Sequence, residues 1–188
     1  ITLGGPVFDL EKLTWMNGKY IRTMPVADLL ARLRSTVLSD EYLLRVLPLA
    51  HERVEKLEDF VDYARFFFVG EVAYDGEARE KLVAKKRTAA ETAAALGRLL
   101  EERLDPLLDW NAAGLEAVMR AFAEQIAWKP GDLFMPVRIA VTGKAATPPL
   151  FETMEVLGRE VCRRRLRRAV DVLKGLGTGD RGPGTATA

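Results

Sequence analysis

Apolar side chains recur every three or four residues along most of this chain, and that spacing constrains the fold more than any other feature. Val26, Leu29, Leu30 and Leu33 form one such stripe, and Leu43, Leu47, Ala50, Val54 and Leu57 form a second. Leu115, Val118, Met119, Phe122 and Ile126 form a third, and Cys162, Leu166, Ala169, Val170 and Leu173 a fourth. Spacings of three, four and seven place side chains on one face of an α-helix. Val137 to Val141 is the one alternating run and would pass for a strand on propensity. It has no partner run elsewhere, and a lone strand cannot satisfy its own backbone. It is therefore expected as helix, starting near Pro136. The fold class is all-α. With 188 residues, the chain is long enough for a real core and for one to two ordinary domains.

Punctuation residues divide the helices. Asp9 is a candidate N-cap before Leu10, Gly18 is expected to interrupt the first helix, and Met24-Pro25 breaks again. Pro48 falls inside the second stripe, which predicts a helix end near Leu47, a kink, or a new helix with Pro48 in its first position. Phe66 to Val69 is core or an anchor between helix and loop, and Val72 to Gly76 has turn chemistry. Glu77 to Leu104 is rich in helix formers, with a break at Lys85, Lys86 and Arg87. Trp128 to Gly131 ends the next helix. Thr147 is expected as an N-cap with Pro148 in the first helical position, and Gly158 separates the last two helices. Trp15 and Tyr20 are expected in the core.

Composition removes much chemistry. One Cys excludes a disulfide framework, and one His with one Cys excludes most zinc sites and triads needing a second imidazole. Gly143-Lys144 is not a phosphate loop, because position 138 is Arg and Ala145 stands where Ser or Thr is required. Asp75-Gly76 lacks the repeated oxygen ligands of a calcium loop. His51 is expected as a partly exposed helix residue and Cys162 as core. No residue set makes a catalytic or metal site, and no apolar run approaches the roughly 18 residues of a membrane span.

Charge is uneven. The net charge is +1, but residues 51–134 hold 12 Lys/Arg against 17 Asp/Glu, and residues 135–188 hold 10 against 5. A basic end on a near-neutral chain suits an anionic ligand, and a merely solvated basic face is an equal alternative. Two other classes compete: a helical protein-interaction module without nucleic-acid binding, and a DNA-binding helix-turn-helix over Pro148 to Lys174. The second suffers from a Gly158-Arg159 connection shorter than the usual turn.

Three segments taken together are more specific. They are Phe8-Asp-Leu-Glu-Lys-Leu-Thr-Trp-Met-Asn-Gly-Lys-Tyr-Ile-Arg22; Leu47-Pro-Leu-Ala-His-Glu-Arg-Val-Glu-Lys-Leu-Glu-Asp59; and Met135-Pro-Val-Arg-Ile-Ala-Val-Thr-Gly143 with Thr147-Pro148-Pro149-Leu150. In this order they resemble the C-terminal half of bacterial glutamyl-tRNA synthetases, from about Phe8 to Leu173. The family's Rossmann catalytic domain, with its His-Ile-Gly-His and Lys-Met-Ser-Lys-Ser signatures, has no counterpart here. The missing initiator Met at Ile1 fits an excised piece.

The resemblance implies an elongated, cage-type helical module in two helical subdomains. Residues 1–105 would hold a stem-contact segment and the first anticodon-binding subdomain, 106–175 the second, and 176–188 a flexible tail. It implies anticodon contacts at Arg53, Arg138, Thr147, Pro148 and Leu150, with Arg53 matching the arginine that discriminating members set against the third anticodon base. It implies tRNA backbone contacts at Lys12, Lys19, Arg22, Arg163, Arg164, Arg167 and Arg168. The expected partner is tRNA(Glu), bound by a cytoplasmic monomer, with no DNA and no membrane. No cofactor is expected in this chain, while the parent enzyme would use ATP and Mg²⁺.

Overall fold

A computed structural model describes residues 10–177, with side chains described from 12 to 176. Helix is the only regular structure among the described residues. The chain forms two compact units, Ile1–Leu44 and Arg45–Ala188. Asp9 and the tail beyond residue 177 lie outside the described residues.

The first unit holds α1 (Leu10–Thr23), α2 (Val26–Ser35) and the start of α3 (Asp40–Ala50). Gly18 does not interrupt α1, which runs on for another turn beneath the Arg22 side chain. Trp15 and Tyr20, expected in the core, are 62% and 55% exposed, and no side chain of α2 is buried. So short a unit has too little chain to enclose an apolar centre. Lys19 Nζ instead lies 5.6 Å from the Trp15 ring centroid, and Arg32 donates to the Tyr20 hydroxyl at 3.1 Å.

Helix α3 continues through Pro48 and ends at Ala50, three residues past the helix end expected near Leu47, and no new helix starts at Pro48. Proline removes the donor to the Leu44 carbonyl, but Leu44 and Pro48 are both exposed, so water can take the donor's place. Because α3 ends at Ala50, the expected stripe does not persist. Val46 and Ala50 are buried one turn apart, whereas Leu57 is 95% exposed.

The second unit builds its core from α4 (Asp59–Ala64), α5 (Gly76–Leu82), α6 (Ala89–Leu99), α7 (Ala112–Gln125), α8 (Pro130–Thr142), α9 (Leu150–Leu157) and α10 (Arg159–Gly177). Helix α10 packs along α6 and α8, α5 packs on α8, and α7 packs on α9. The expected break at Lys85–Arg87 separates α5 from α6. Thr88 then starts α6 with a capping box, accepting from the Glu91 N–H at 3.1 Å while Glu91 accepts from the Thr88 N–H at 2.7 Å. Asn111 caps α7 by accepting from the Gly114 N–H at 2.8 Å. A short 3₁₀ turn, Arg65–Phe67, follows α4 and delivers Phe66 and Phe67 to the core.

Two helix starts differ from expectation. Helix α8 begins at Pro130, not near Pro136, because proline suits the first turn where the missing N–H is not needed. Helix α9 begins at Leu150 with Pro149 as its N-cap, not at Thr147-Pro148. A residue that precedes proline is disfavoured in the α region, and Thr147 and Pro148 both do. At the other end of α8, Gly143 adopts φ 72°, and a Cβ there would lie 2.6 Å from the Ala73 carbonyl oxygen. Glycine is required at that close approach.

Arg165 fastens the centre of this unit. It is 1% exposed, and its guanidinium donates to the carbonyls of Phe66 at 2.8 Å, Val69 and Val141 at 2.5 Å each, and Gly70 at 3.4 Å. One planar fork thus ties α10 to the end of α8 and to the segment after α4. Cys162 lies one turn before it, fully buried as expected, and burial pushes its thiol pKa up to about 12.

Candidate nucleic-acid interface

Arg138 lies on the partly exposed face of α8, four residues before the helix ends. The Gly143 turn carries the chain back so that the segment before α9 crosses this side chain. Arg138 Nη1 donates to the Thr147 hydroxyl oxygen, to the Pro148 carbonyl at 2.6 Å and to the Thr147 carbonyl at 3.5 Å. The Thr147 hydroxyl in turn donates to the Pro148 carbonyl at 3.1 Å. Three residues expected at the site are therefore brought together by one nitrogen. Nε and Nη2 of Arg138 make no hydrogen bond to a described residue, so the fork is anchored on one side and presents donors on the other.

Burial lowers the Arg138 pKa from its ordinary value, and the nearby Glu152 and Tyr63 oppose that shift. The guanidinium remains a cation at any physiological pH. A half-desolvated, anchored cation with spare donors suits a base edge or a phosphate. Leu150 has a buried side chain. What it can turn outward is its backbone N–H, one of the donors in the first turn of α9 that has no helical acceptor.

Arg53 is not bonded to this cluster. It ends a 3₁₀ turn, His51–Arg53, directly after α3, and the chain then becomes extended at Val54. Its side chain is exposed and has no hydrogen-bond or ion-pair partner among the described residues. His51 is exposed on the same turn, its Nδ1 3.3 Å from the Pro48 carbonyl. Lys144, from the Gly143-Lys144 pair, donates to the Asp62 carbonyl at 2.7 Å.

The arginines of α10 have intramolecular partners. Arg163 Nε lies 2.6 Å from Asp105 Oδ1, an ion pair without hydrogen-bond alignment, and Arg163 Nη1 donates to Glu160 at 3.0 Å. Arg164 donates to the Gly70 carbonyl at 3.0 Å. Arg168 pairs with Glu71 at 2.8 Å and donates to the Val72 carbonyl at 2.9 Å, while Arg167 stands 3.8 Å from Asp105. Lys12, Lys19 and Arg22 lie on α1 in the other unit. Arg165 was not singled out in the sequence, although its position three residues after Cys162 and four before Ala169 places it on the apolar stripe.

Among the described residues no group of three His, Cys, Asp or Glu side chains is placed to hold a metal ion. No described helix is long and apolar enough to cross a membrane.

A family model described as "Anticodon binding domain" matches residues 22–170. A glutamate–tRNA ligase of Pseudomonas fluorescens (strain Pf0-1) is 34% identical over 176 residues, covering 94% of this chain and 35% of that protein. One from Acidothermus cellulolyticus is 36% identical over 197 residues, covering 98% of this chain and 38% of that protein. A crystal structure of a glutamate tRNA ligase from Elizabethkingia meningosepticum CCUG26117, in complex with its amino acid, superimposes with a TM-score of 0.64 at 27% identity. It covers 90% of this chain and 34% of that one. The chain thus spans about a third of the length of the relatives it matches. With the match running from the end of α1 into the second half of α10, across the anchored Arg138 and the Arg53 turn alike, the chain belongs to the anticodon-binding domain family.

Proposed function

We propose that this chain reads the anticodon of tRNA(Glu) as the anticodon-binding region of a glutamate–tRNA ligase. The observation that carries this reading is the Arg138 guanidinium, anchored by Thr147 and Pro148 through one nitrogen with its remaining donors uncommitted. Anticodon bases are unpaired and splayed, so an Arg fork and the first N–H groups of α9 can meet their edges. Arg53 is the second reading group, assigned to the third anticodon base. Lys12, Lys19 and Arg22 contact the stem side of the tRNA, and Arg163, Arg164, Arg167 and Arg168 its backbone. Their carboxylate and carbonyl partners orient these α10 guanidinia, and each phosphate contact adds salt dependence without sequence information.

In this reading the functional division follows residues 1–105 and 106–175. The chain acts as a cytoplasmic monomer that binds neither DNA nor membrane. The parent enzyme joins glutamate to the tRNA using ATP and Mg²⁺, and this region performs no catalytic step.

The test is equilibrium binding of the full chain to tRNA(Glu) and to duplex DNA at matched salt. Preference for the tRNA, lost by roughly ten- to a hundredfold on Arg138→Ala, is the expected result, since a bidentate base contact is worth about 1–3 kcal/mol. Equal affinity for both nucleic acids refutes the reading. An Arg138→Ala form that binds like the unaltered chain refutes the placement of the site.

A further inference from the structure

Among the described residues only Lys86 and Ala127, apart from glycines, hold a left-handed φ, at 61° and 53°. They are distant in sequence, yet each directly precedes one member of a stacked pair. Arg87 lies over the Trp128 ring, 5.1 Å from its centroid. A side chain in this backbone region is strained, and such strain persists where surrounding structure or function maintains it. Lysine is a poor residue for that conformation, since glycine or asparagine would adopt it at lower cost.

The strained pair stands beside an open groove of about 380 Å³ lined in part by Lys81, Lys85, Gly131, Met135 and Pro136. Lys81 is paired with Glu77. Lys85 and Lys86 make no ion pair with a described residue. Arg87 is near Glu91, but that carboxylate already accepts from the Thr88 N–H and hydroxyl. Glu80 and Asp132 also line the groove. Three consecutive cations therefore form a positive island within the stretch 51–134, where acidic residues outnumber basic ones.

The groove shares α8 with the Arg138 site. Gly131, Met135 and Arg138 follow at spacings of four and three, which places them along one helix face. At 1.5 Å per residue the groove lining on α8 runs from about 10 Å along the axis from Arg138, at Gly131, to about 3 Å, at Pro136.

We propose that the Lys85–Lys86–Arg87 turn, braced by Trp128, is an additional RNA contact that receives backbone phosphates of the strand read at Arg138. The inference rests on the anticodon-reading function proposed above. Lys85 and Lys86 are both exposed on this turn, and stacking on Trp128 holds the Arg87 guanidinium in place for a phosphate.

Two variants of the full chain test it, with far-UV circular dichroism confirming that each is folded. Binding of a tRNA(Glu) transcript is measured across a salt series, and its ratio to the same transcript with an altered third anticodon base is measured alongside. The Lys85→Ala/Lys86→Ala form is expected to lower the log–log salt slope by about 1–2, as loss of two phosphate contacts requires, with the anticodon ratio unchanged. The Lys86→Gly form relieves the strained φ, so its melting temperature is expected to rise by a few degrees while its tRNA affinity falls severalfold. An unchanged salt slope in the double variant, with selective binding by the unaltered chain, overturns this contact and leaves the anticodon reading intact. A Lys86→Gly form that is more stable and binds equally well overturns it too. Absence of any tRNA binding by the unaltered chain overturns both readings together.

Discussion

Replacing Arg165 with methionine removes a charged fork while keeping a buried side chain of similar reach. Three carbonyls then lose the guanidinium's donors, Phe66 and Val69 from the segment after α4 and Val141 from the last turn of α8, while Gly70 keeps the donor it has from Arg164. A hydrogen bond to a charged group contributes about 1.5–3 kcal/mol, and stranding a buried acceptor costs about 1–3 kcal/mol. These values do not add, because the carbonyls partly rehydrate and the lost guanidinium no longer needs desolvation. Three stranded carbonyls, partly offset in this way, set the expected loss at about 3–5 kcal/mol. That is a large part of a typical stability of roughly 5–15 kcal/mol. For a chain of this length it corresponds to a fall in melting temperature on the order of 10 °C. Urea denaturation followed by circular dichroism reads the change as a lower midpoint at constant slope. Arg165→Lys should recover only part of the loss, since one ammonium cannot span carbonyls on two segments. Lys56→Ala, which removes one side of an exposed pair 3.9 Å apart, should leave the midpoint almost unchanged. An Arg165→Met form within about 1 kcal/mol of the unaltered chain would refute the role assigned to this fork.

Two further outcomes follow from titrating groups. Cys162 is fully buried with its thiol pKa pushed up to about 12, so iodoacetamide at pH 8 should label it only as fast as the chain opens; labelling at the rate of a free thiol in the folded protein would contradict this. Glu91 has its pKa lowered from 4.5, first by the hydrogen bond from the Thr88 N–H and next by the one from its hydroxyl. Its contribution to the α6 cap is therefore full above the unfolded value and is lost as pH falls through the lower folded value. Hydrogen exchange at the first turn of α6 should accelerate, relative to the intrinsic rate, below the ordinary carboxylate range. In a Glu91→Gln form, which gains no proton over this range, that acid-induced change should be absent.

Much of the fold was legible because the long helices declare themselves by period. Helix α10 has an apolar stripe at strict spacing, and α5 and α6 separate at the break expected at Lys85–Arg87, whereas the Thr88 capping box that starts α6 was not singled out. The errors arose where proline has two meanings. Pro130 looked like a terminator and starts α8, Pro48 looked like a breaker and sits on an exposed face, and Pro149 moves the start of α9 past Thr147. Exposure of Trp15, Tyr20 and Leu57 was not legible, since periodicity marks a face as apolar without providing anything to cover it. The candidate site residues were singled out only through family resemblance. Arg138 and Thr147 are nine residues apart and meet because the Gly143 turn reverses the chain, which no spacing rule encodes. The same holds for Arg165, hidden among four arginines that look equivalent, and for the strain at Lys86 and Ala127, which resides in φ alone.

Anticodon reading is tested most directly by one ratio: the affinity of this chain for tRNA(Glu) against the same tRNA with its third anticodon base changed from C to G. Cytosine offers O2 and N3 acceptors on its pairing edge, which the exposed, uncommitted Arg53 guanidinium can satisfy. Guanine presents N1–H and N2–H there, leaving donors facing donors. Such a mismatch costs about 1–3 kcal/mol, or roughly ten- to a hundredfold in affinity. The unaltered chain should show that preference, and Arg53→Gln should reduce it while leaving the fold intact. Equal affinity of the unaltered chain for both tRNAs, or a preference that survives Arg53→Gln unchanged, would contradict the account.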